Sequence, residues 1–287
     1  MTTANPTPNP ADPQAGLPTA SPAAPPSTPL AGLPAWLPGV AAEQPHPLLF
    51  ATVSGAHLYG FPSADSDIDL RGVHLLPIEQ VIGLYPGDDT ITRSWDRDGV
   101  PVDLVTHDLI KFCRLLLNRN GYVLEQLLSP LVVATSPVHE ELIAAAPGCV
   151  TRHHAHHYLG FARTQWGLFI KHRELKPLLY TFRVLLTGIH LMRTGEVVAD
   201  LTRLYGDAPP YLPGLVAAKR AAEHGALPAD APDVTTLEAD VHRLTALLEE
   251  ARDASRLSET PTAKEALHDL IIRARLGRLD VTATYPG

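Results

Sequence analysis

Three aspartates dominate any chemical reading of this chain. Asp67-Ile68-Asp69-Leu70 alternates acid with apolar residue, the period of a strand with one polar face. Residues i and i+2 share a face, so Asp67 and Asp69 point the same way, ~6.5 Å apart at their Cα atoms. Two like charges that close repel by roughly 3 kcal/mol at an effective dielectric near ~20 unless something positive stands between them. A hard divalent cation with oxygen ligands, Mg²⁺ above all, is the usual remedy. Asp103 is the one acid inside Val100-Pro101-Val102-Asp103-Leu104-Val105, with Val102 and Leu104 on the opposite face. A solvated acid on an exposed sheet face gives the same pattern. A calcium loop does not fit: Asp65, Asp67 and Asp69 take its positions 1, 3 and 5, but Leu70 and Leu76 stand where it needs Gly and Glu.

These acids need a scaffold. Leu48-Leu49-Phe50-Ala51-Thr52-Val53 reads as a buried strand, ending at a turn, Ser54-Gly55-Ala56-His57, where Gly55 lacks a Cβ and lets backbone amides approach a ligand. Thr90 to Trp95 and Val100 to Val105 form a predicted hairpin around Asp96-Arg97-Asp98-Gly99, with Pro101 near the start of its strand or at an edge. Thr106 is the expected N-cap of a helix over 107–118, and Asp108 a first-turn acid favoured by the helix dipole. Further on, apolar residues every three or four predict helices over 138–146, 153–172 and 175–193, the last stopped by Gly195, and over 235–254 and 261–277. Residues 200–233, rich in proline, read as loop. The expected fold class is α+β: a small mixed sheet with helices over 36–135, then a helical domain over 136–287.

Composition narrows the partners. A net charge of −8 argues against an extended nucleic-acid surface, though not against a small basic pocket gripping one triphosphate or one RNA end. Residues 1–35 are mostly Pro, Ala, Thr and Ser, without periodicity, and read as a disordered tail with no secretion signal. No apolar run reaches membrane-spanning length. Cys113 and Cys149 lack metal-ligand spacing and read as reduced, partly buried thiols of a cytoplasmic protein. His153-His154-Ala155-His156-His157 is too tight for convergence, since helix neighbours point ~100° apart, and no third ligand joins the His153–His157 pair.

The phrase from Ser54 to Gly72, a strand and glycine turn followed by Asp-x-Asp, resembles a branch of predicted nucleotidyltransferases in the DNA polymerase β superfamily, some of which accompany RNA-repair systems. The likeness extends over about residues 45–195. It implies transfer of a nucleoside monophosphate from a triphosphate to an acceptor hydroxyl, with pyrophosphate released. It also implies two Mg²⁺ ions, replaceable by Mn²⁺, on Asp67, Asp69 and Asp103. Nucleotide would be held by Ser54, Gly55, Ala56, His57 and Ser66, and by Lys176, Tyr180 and Arg183, which recur at i, i+4 and i+7. A solvated helix face fits that stripe too.

One position departs from the family. Where the turn is usually Gly-Ser, this chain has Gly55-Ala56, so a hydrogen bond to phosphate of ~1–2 kcal/mol is lost unless His57 replaces it. Asn120 is expected to close a helix, Glu125 to orient a basic residue, His157 to shape an acceptor pocket, and Arg71 to neutralise the acids or touch phosphate. An RNA end, a protein side chain and a small molecule all remain open as the acceptor, and the resemblance to a branch that accompanies RNA repair tilts slightly to the RNA end. A nucleotide-binding sensor or partner module without transfer is the alternative.

Overall fold

A computed structural model describes residues 30, 32–221 and 227–285. Of the expected tail, Leu30 and residues 32–35 are described, and Leu30 and Leu33 pack against the sheet; the rest lies outside the described residues.

The α+β expectation is met. After a short helix, α1 (Leu37–Ala42), come β1 (Leu48–Val53), the single turn α2 (Gly55–Leu58) and β2 (Ile68–His74). The turn α3 (Glu79–Ile82) leads to β3 (Thr90–Arg97) and β4 (Val100–Asp108). The sheet order is β3-β4-β2-β1-β5, with β5 at Val132–Ala134. Only the β2–β4 pair is parallel; β1–β2, β1–β5 and β3–β4 are antiparallel. β1 is buried along its whole length, as its unbroken apolar run requires. The hairpin forms as expected: Asp98 and Gly99 take φ of 54° and 78°, the paired positive values that a tight two-residue turn needs. Pro101 pairs only with β3, because β2 joins β4 from Val102 onward, so its missing N–H costs no ladder bond on that side.

Helices then cover the sheet. These are α4 (Leu109–Leu117), α5 (Gly121–Leu127), α6 (Pro137–Ala145), α7 (His154–His172), α8 (Leu175–Thr194), α9 (Leu212–Ala221), α10 (Val234–Asp253) and α11 (Lys264–Arg275). In α4, Leu109, Phe112, Cys113 and Leu116 form one buried stripe at helical spacing. α7 and α8 run along each other, and α10 crosses α8. One apolar cluster joins Phe50 and Leu58 to Leu185, Leu248 and Leu270, so it spans both sides of residue 135. Each such fully buried Leu or Phe contributes about 1.5–3 kcal/mol.

Several local expectations need correcting. Strand β4 continues through Thr106, and the N-cap is Asp108, whose Oδ1 accepts from Ile110 N at 3.0 Å. Asp108 is no solvated first-turn acid either: it is buried and ion-paired with Arg275 of α11. Asn120 opens α5 rather than closing the preceding helix, its Oδ1 accepting from Tyr122 N at 3.1 Å. Residues 200–233 contain α9, which prolines at its flanks and near its start concealed.

Candidate active site

The parallel pairing of β2 with β4 sets the geometry. Its register places Asp69 opposite Asp103, so two acids 34 positions apart in the chain meet on one face. Asp67 comes just before β2, close enough for its charge to act on Asp69. The Asp69 carboxyl is pushed above the usual aspartate range, first by burial and then by Asp67 and Asp103, with Arg71 and Lys176 pulling the other way.

Arg71, two residues after Asp69 on the same face of β2, supplies the nearest positive charge. Its Nη2 donates to Asp69 Oδ1 at 2.6 Å and to Asp103 Oδ2 at 2.9 Å. Nη1 donates to the carbonyls of Asp103 at 2.6 Å and Leu70 at 3.1 Å, and Nε to the Tyr122 hydroxyl at 3.1 Å. The remaining Asp103 oxygen, Oδ1, accepts from Ser94 Oγ at 2.8 Å. Ser94 is directly opposite Asp103 across β3 and β4.

The glycine turn closes on the same acid. Gly55 has φ of 63°, and a Cβ built there would lie 1.8 Å from Asp69 Oδ2. Both the left-handed backbone and the close approach exclude any side chain at this position. Ser54 N donates to the Asp69 carbonyl at 2.8 Å, while the buried Ser54 hydroxyl has no hydrogen-bond partner. Ala56 is buried in the turn, and the partly buried His57 ring has its pKa lowered by burial, with a hydrogen bond to the Ser66 backbone and the charge of Asp67 acting the other way. Ser66 holds the loop before Asp67, accepting from Ser63 N at 2.9 Å. Beside that loop is a cleft of about 510 Å³ lined by His57, Ser63, Ser66, Ile68, Val100 and Leu131.

The stripe on α8 divides along its length. Lys176 is exposed and near enough to Asp69 to favour its ionised form. Tyr180 is partly buried, edge-on to Tyr59 and Phe61 at 5.4 and 5.7 Å. Arg183 is buried, with Nη1 2.9 Å from Glu125 Oε2 and its guanidinium 3.7 Å over the Tyr59 ring. The Arg183 charge thus goes to Glu125, the acid expected to orient a basic residue.

Lys219 escaped the sequence reading. It comes from α9, is 8% exposed, and donates from Nζ to Ser63 Oγ at 2.7 Å. Burial lowers its pKa, while Asp65 and Asp67 act in the opposite direction and Lys176 adds to the lowering. Nothing in the α9 sequence marks it, since only folding brings α9 to the loop of residues 63–66. The histidines do not converge on one point: His153 stacks on His156 at 5.9 Å, His154 Nδ1 accepts from Thr151 N at 3.1 Å, and His157 packs on Tyr158 and Phe161.

The donor chemistry at Asp67 and Asp69 suits a hard divalent cation. Asp103 fits less simply, because both its carboxylate oxygens already accept from protein donors. Among the described residues, no group of three His, Cys, Asp or Glu side chains is placed to close on one ion, and no helix is long and apolar enough to cross a membrane.

Comparison with known proteins adds the lineage. Residues 35–273 match the model of a family described as RNA repair pathway DNA polymerase beta. An uncharacterized protein of Methanocaldococcus jannaschii is 34% identical over 160 residues, 54% of this chain and 64% of that protein. The match therefore spans less than two thirds of that relative's length. The crystal structure of a nucleotidyltransferase-like protein from Exiguobacterium sibiricum aligns over 84% of this chain and 77% of its own, at 12% identity and a TM-score of 0.28.

Proposed function

The chain belongs to the RNA repair pathway DNA polymerase beta family, and from that premise we propose that it is a divalent-metal-dependent nucleotidyltransferase, moving a nucleoside monophosphate from a triphosphate to the terminal hydroxyl of an RNA. The observation that carries this reading is the in-register meeting of Asp69 and Asp103, with the Gly55 turn closed against Asp69.

Each residue then has a task. Backbone amides at Gly55 and Ala56 lie where a phosphate can be held without a side chain intervening. The Ser54 hydroxyl, buried without a partner next to Gly55, is the donor left to offset the absent serine at 56. Lys176 and Lys219 flank the loop bearing Asp67 and supply point charges to the β- and γ-phosphates. Arg183 acts at one remove by fixing Tyr59 and Tyr180. The cleft beside His57 is large enough for a nucleoside. Asp67 and Asp69 would hold Mg²⁺, or Mn²⁺ in its place, which when bound supplies charge neutralisation at the triphosphate. Asp103 would draw the proton from the acceptor hydroxyl. That oxygen forms a bond to the α-phosphorus as the bond to the bridging oxygen breaks, and pyrophosphate leaves. Positioning and electrostatics supply most of the acceleration.

A second reading, a nucleotide-binding module without transfer, draws on the commitment of both Asp103 oxygens and on Ala56. Labelled nucleoside triphosphates with Mg²⁺ and pools of RNA, protein or metabolites separate the two. Label in RNA with stoichiometric pyrophosphate supports transfer. Nucleotide bound but never cleaved supports the module.

A further inference from the structure

Arg71 does what a bridging cation does. Its Nη2 is shared between one oxygen of Asp69 and one of Asp103, at 2.6 and 2.9 Å. The other guanidinium nitrogens are anchored on the Leu70 and Asp103 carbonyls and on the Tyr122 hydroxyl. Such an arginine does not swing away cheaply, because five hydrogen bonds hold a guanidinium whose side chain is only 9% exposed. Asp103 has no uncommitted oxygen, since Oδ1 accepts from Ser94. Asp67 takes no part in this pairing: it acts on Asp69 and also on Lys219, which donates to Ser63 Oγ at 2.7 Å.

We propose that the Arg71 guanidinium permanently takes the place of one of the two ions expected between three aspartates, so that the chain binds a single divalent ion on Asp67 and Asp69. The proposal rests on the metal-dependent transferase reading above and sharpens it. Arg71 is then a positioning residue. It keeps Asp69 and Asp103 together without a metal, and the fixed positive charge that favours departure of the acceptor proton comes from the protein.

Anomalous diffraction from crystals of the full chain with Mn²⁺ and an α,β-methylene nucleoside triphosphate tests the count. One peak is expected, at Asp67 and Asp69, with Arg71 still bridging; in Arg71→Gln a second peak is expected between Asp69 and Asp103. Two peaks in the unaltered chain, or one in a folded Arg71→Gln protein, overturn the proposal. No peak in either, with no nucleotide bound, overturns the transferase reading along with it. Should Arg71→Gln not fold, Mn²⁺ affinity measured by paramagnetic resonance keeps the test sharp. Asp67→Asn should weaken binding at least tenfold and Asp103→Asn less than twofold. A tenfold loss in Asp103→Asn overturns the proposal.

Discussion

Two arginine–carboxylate sites in this molecule look alike and do opposite work. Arg183 and Glu125 form a balanced pair, one cation to one anion, with side-chain exposures of 3% and 1%. Arg71 faces Asp69 and Asp103, with exposures of 18% and 35%, and Asp67 adds a third negative charge close by. The first site is closed and neutral, and its one ion pair holds α5 against α8, with Glu125 Oε1 and Arg183 Nε buried without hydrogen-bond partners. The second sets Asp67, Asp69 and Asp103 against a single bridging arginine, with Lys176 and Lys219 also acting on the acids, and it remains open to solvent, which leaves access for a further cation. Stoichiometry and exposure, not the ion pair itself, separate the two sites and make the second the candidate for function.

The comparison can be broken most decisively at the acids. Asp69→Asn should reduce nucleotidyl transfer at least ~10³-fold, about 4 kcal/mol at the transition state, with the circular-dichroism spectrum unchanged. Retained activity would move Asp69 into the structural class. The converse holds for Glu125→Leu: leaving the Arg183 charge buried alone should cost about 3–4 kcal/mol in urea unfolding. A variant as stable as the parent would show that the pair contributes nothing.

Gly55→Ala tests the contact between turn and acid. Its Cβ would collide with Asp69 Oδ2 on a backbone at φ of 63°, so a loss of about 2 kcal/mol in stability and a marked rise in KM for the triphosphate are expected. Ser94→Ala removes one hydrogen bond to the partly exposed Asp103. It should cost about 1 kcal/mol or less by thermal unfolding, and lower transfer modestly.

Proton linkage gives the smallest effect. Asp69 titrates above the ordinary aspartate range because burial disfavours its charged form. A carboxyl raised in the folded state binds protons more tightly there than when unfolded. Its ionisation therefore subtracts stability as pH rises from the unfolded value through the raised folded one. Unfolding of the parent against Asp69→Asn across that window should show this slope only in the parent.

Much of the candidate site was legible because its signals are local. Gly55 marked the turn and Asp98-Gly99 the hairpin, whereas the face expected to be shared by Asp67 and Asp69 assumed a strand that begins only at Ile68. Asp103 was readable as the one acid in its strand, but its partner depended on β4 pairing parallel to β2. The sequence signals that failed are instructive. Thr106 looked like an N-cap because strand and helix abut there with no loop, and Asp108 took the role because its carboxylate also meets Arg275. The stripe of Lys176, Tyr180 and Arg183 has helical spacing, yet spacing says nothing of depth: Lys176 is at the surface while Arg183 is buried on Glu125.

From the order of residues alone came the strand with paired acids, the turn, the helical second half and the kinship. Those depend on interactions a few residues apart, where backbone geometry leaves few choices. Folding decided which charges neutralise which: Arg71 between two strands, Arg183 on Glu125, and Lys219 brought from α9 to Ser63. Electrostatic energy depends on distance and burial, and neither is written in the spacing of residues along a chain.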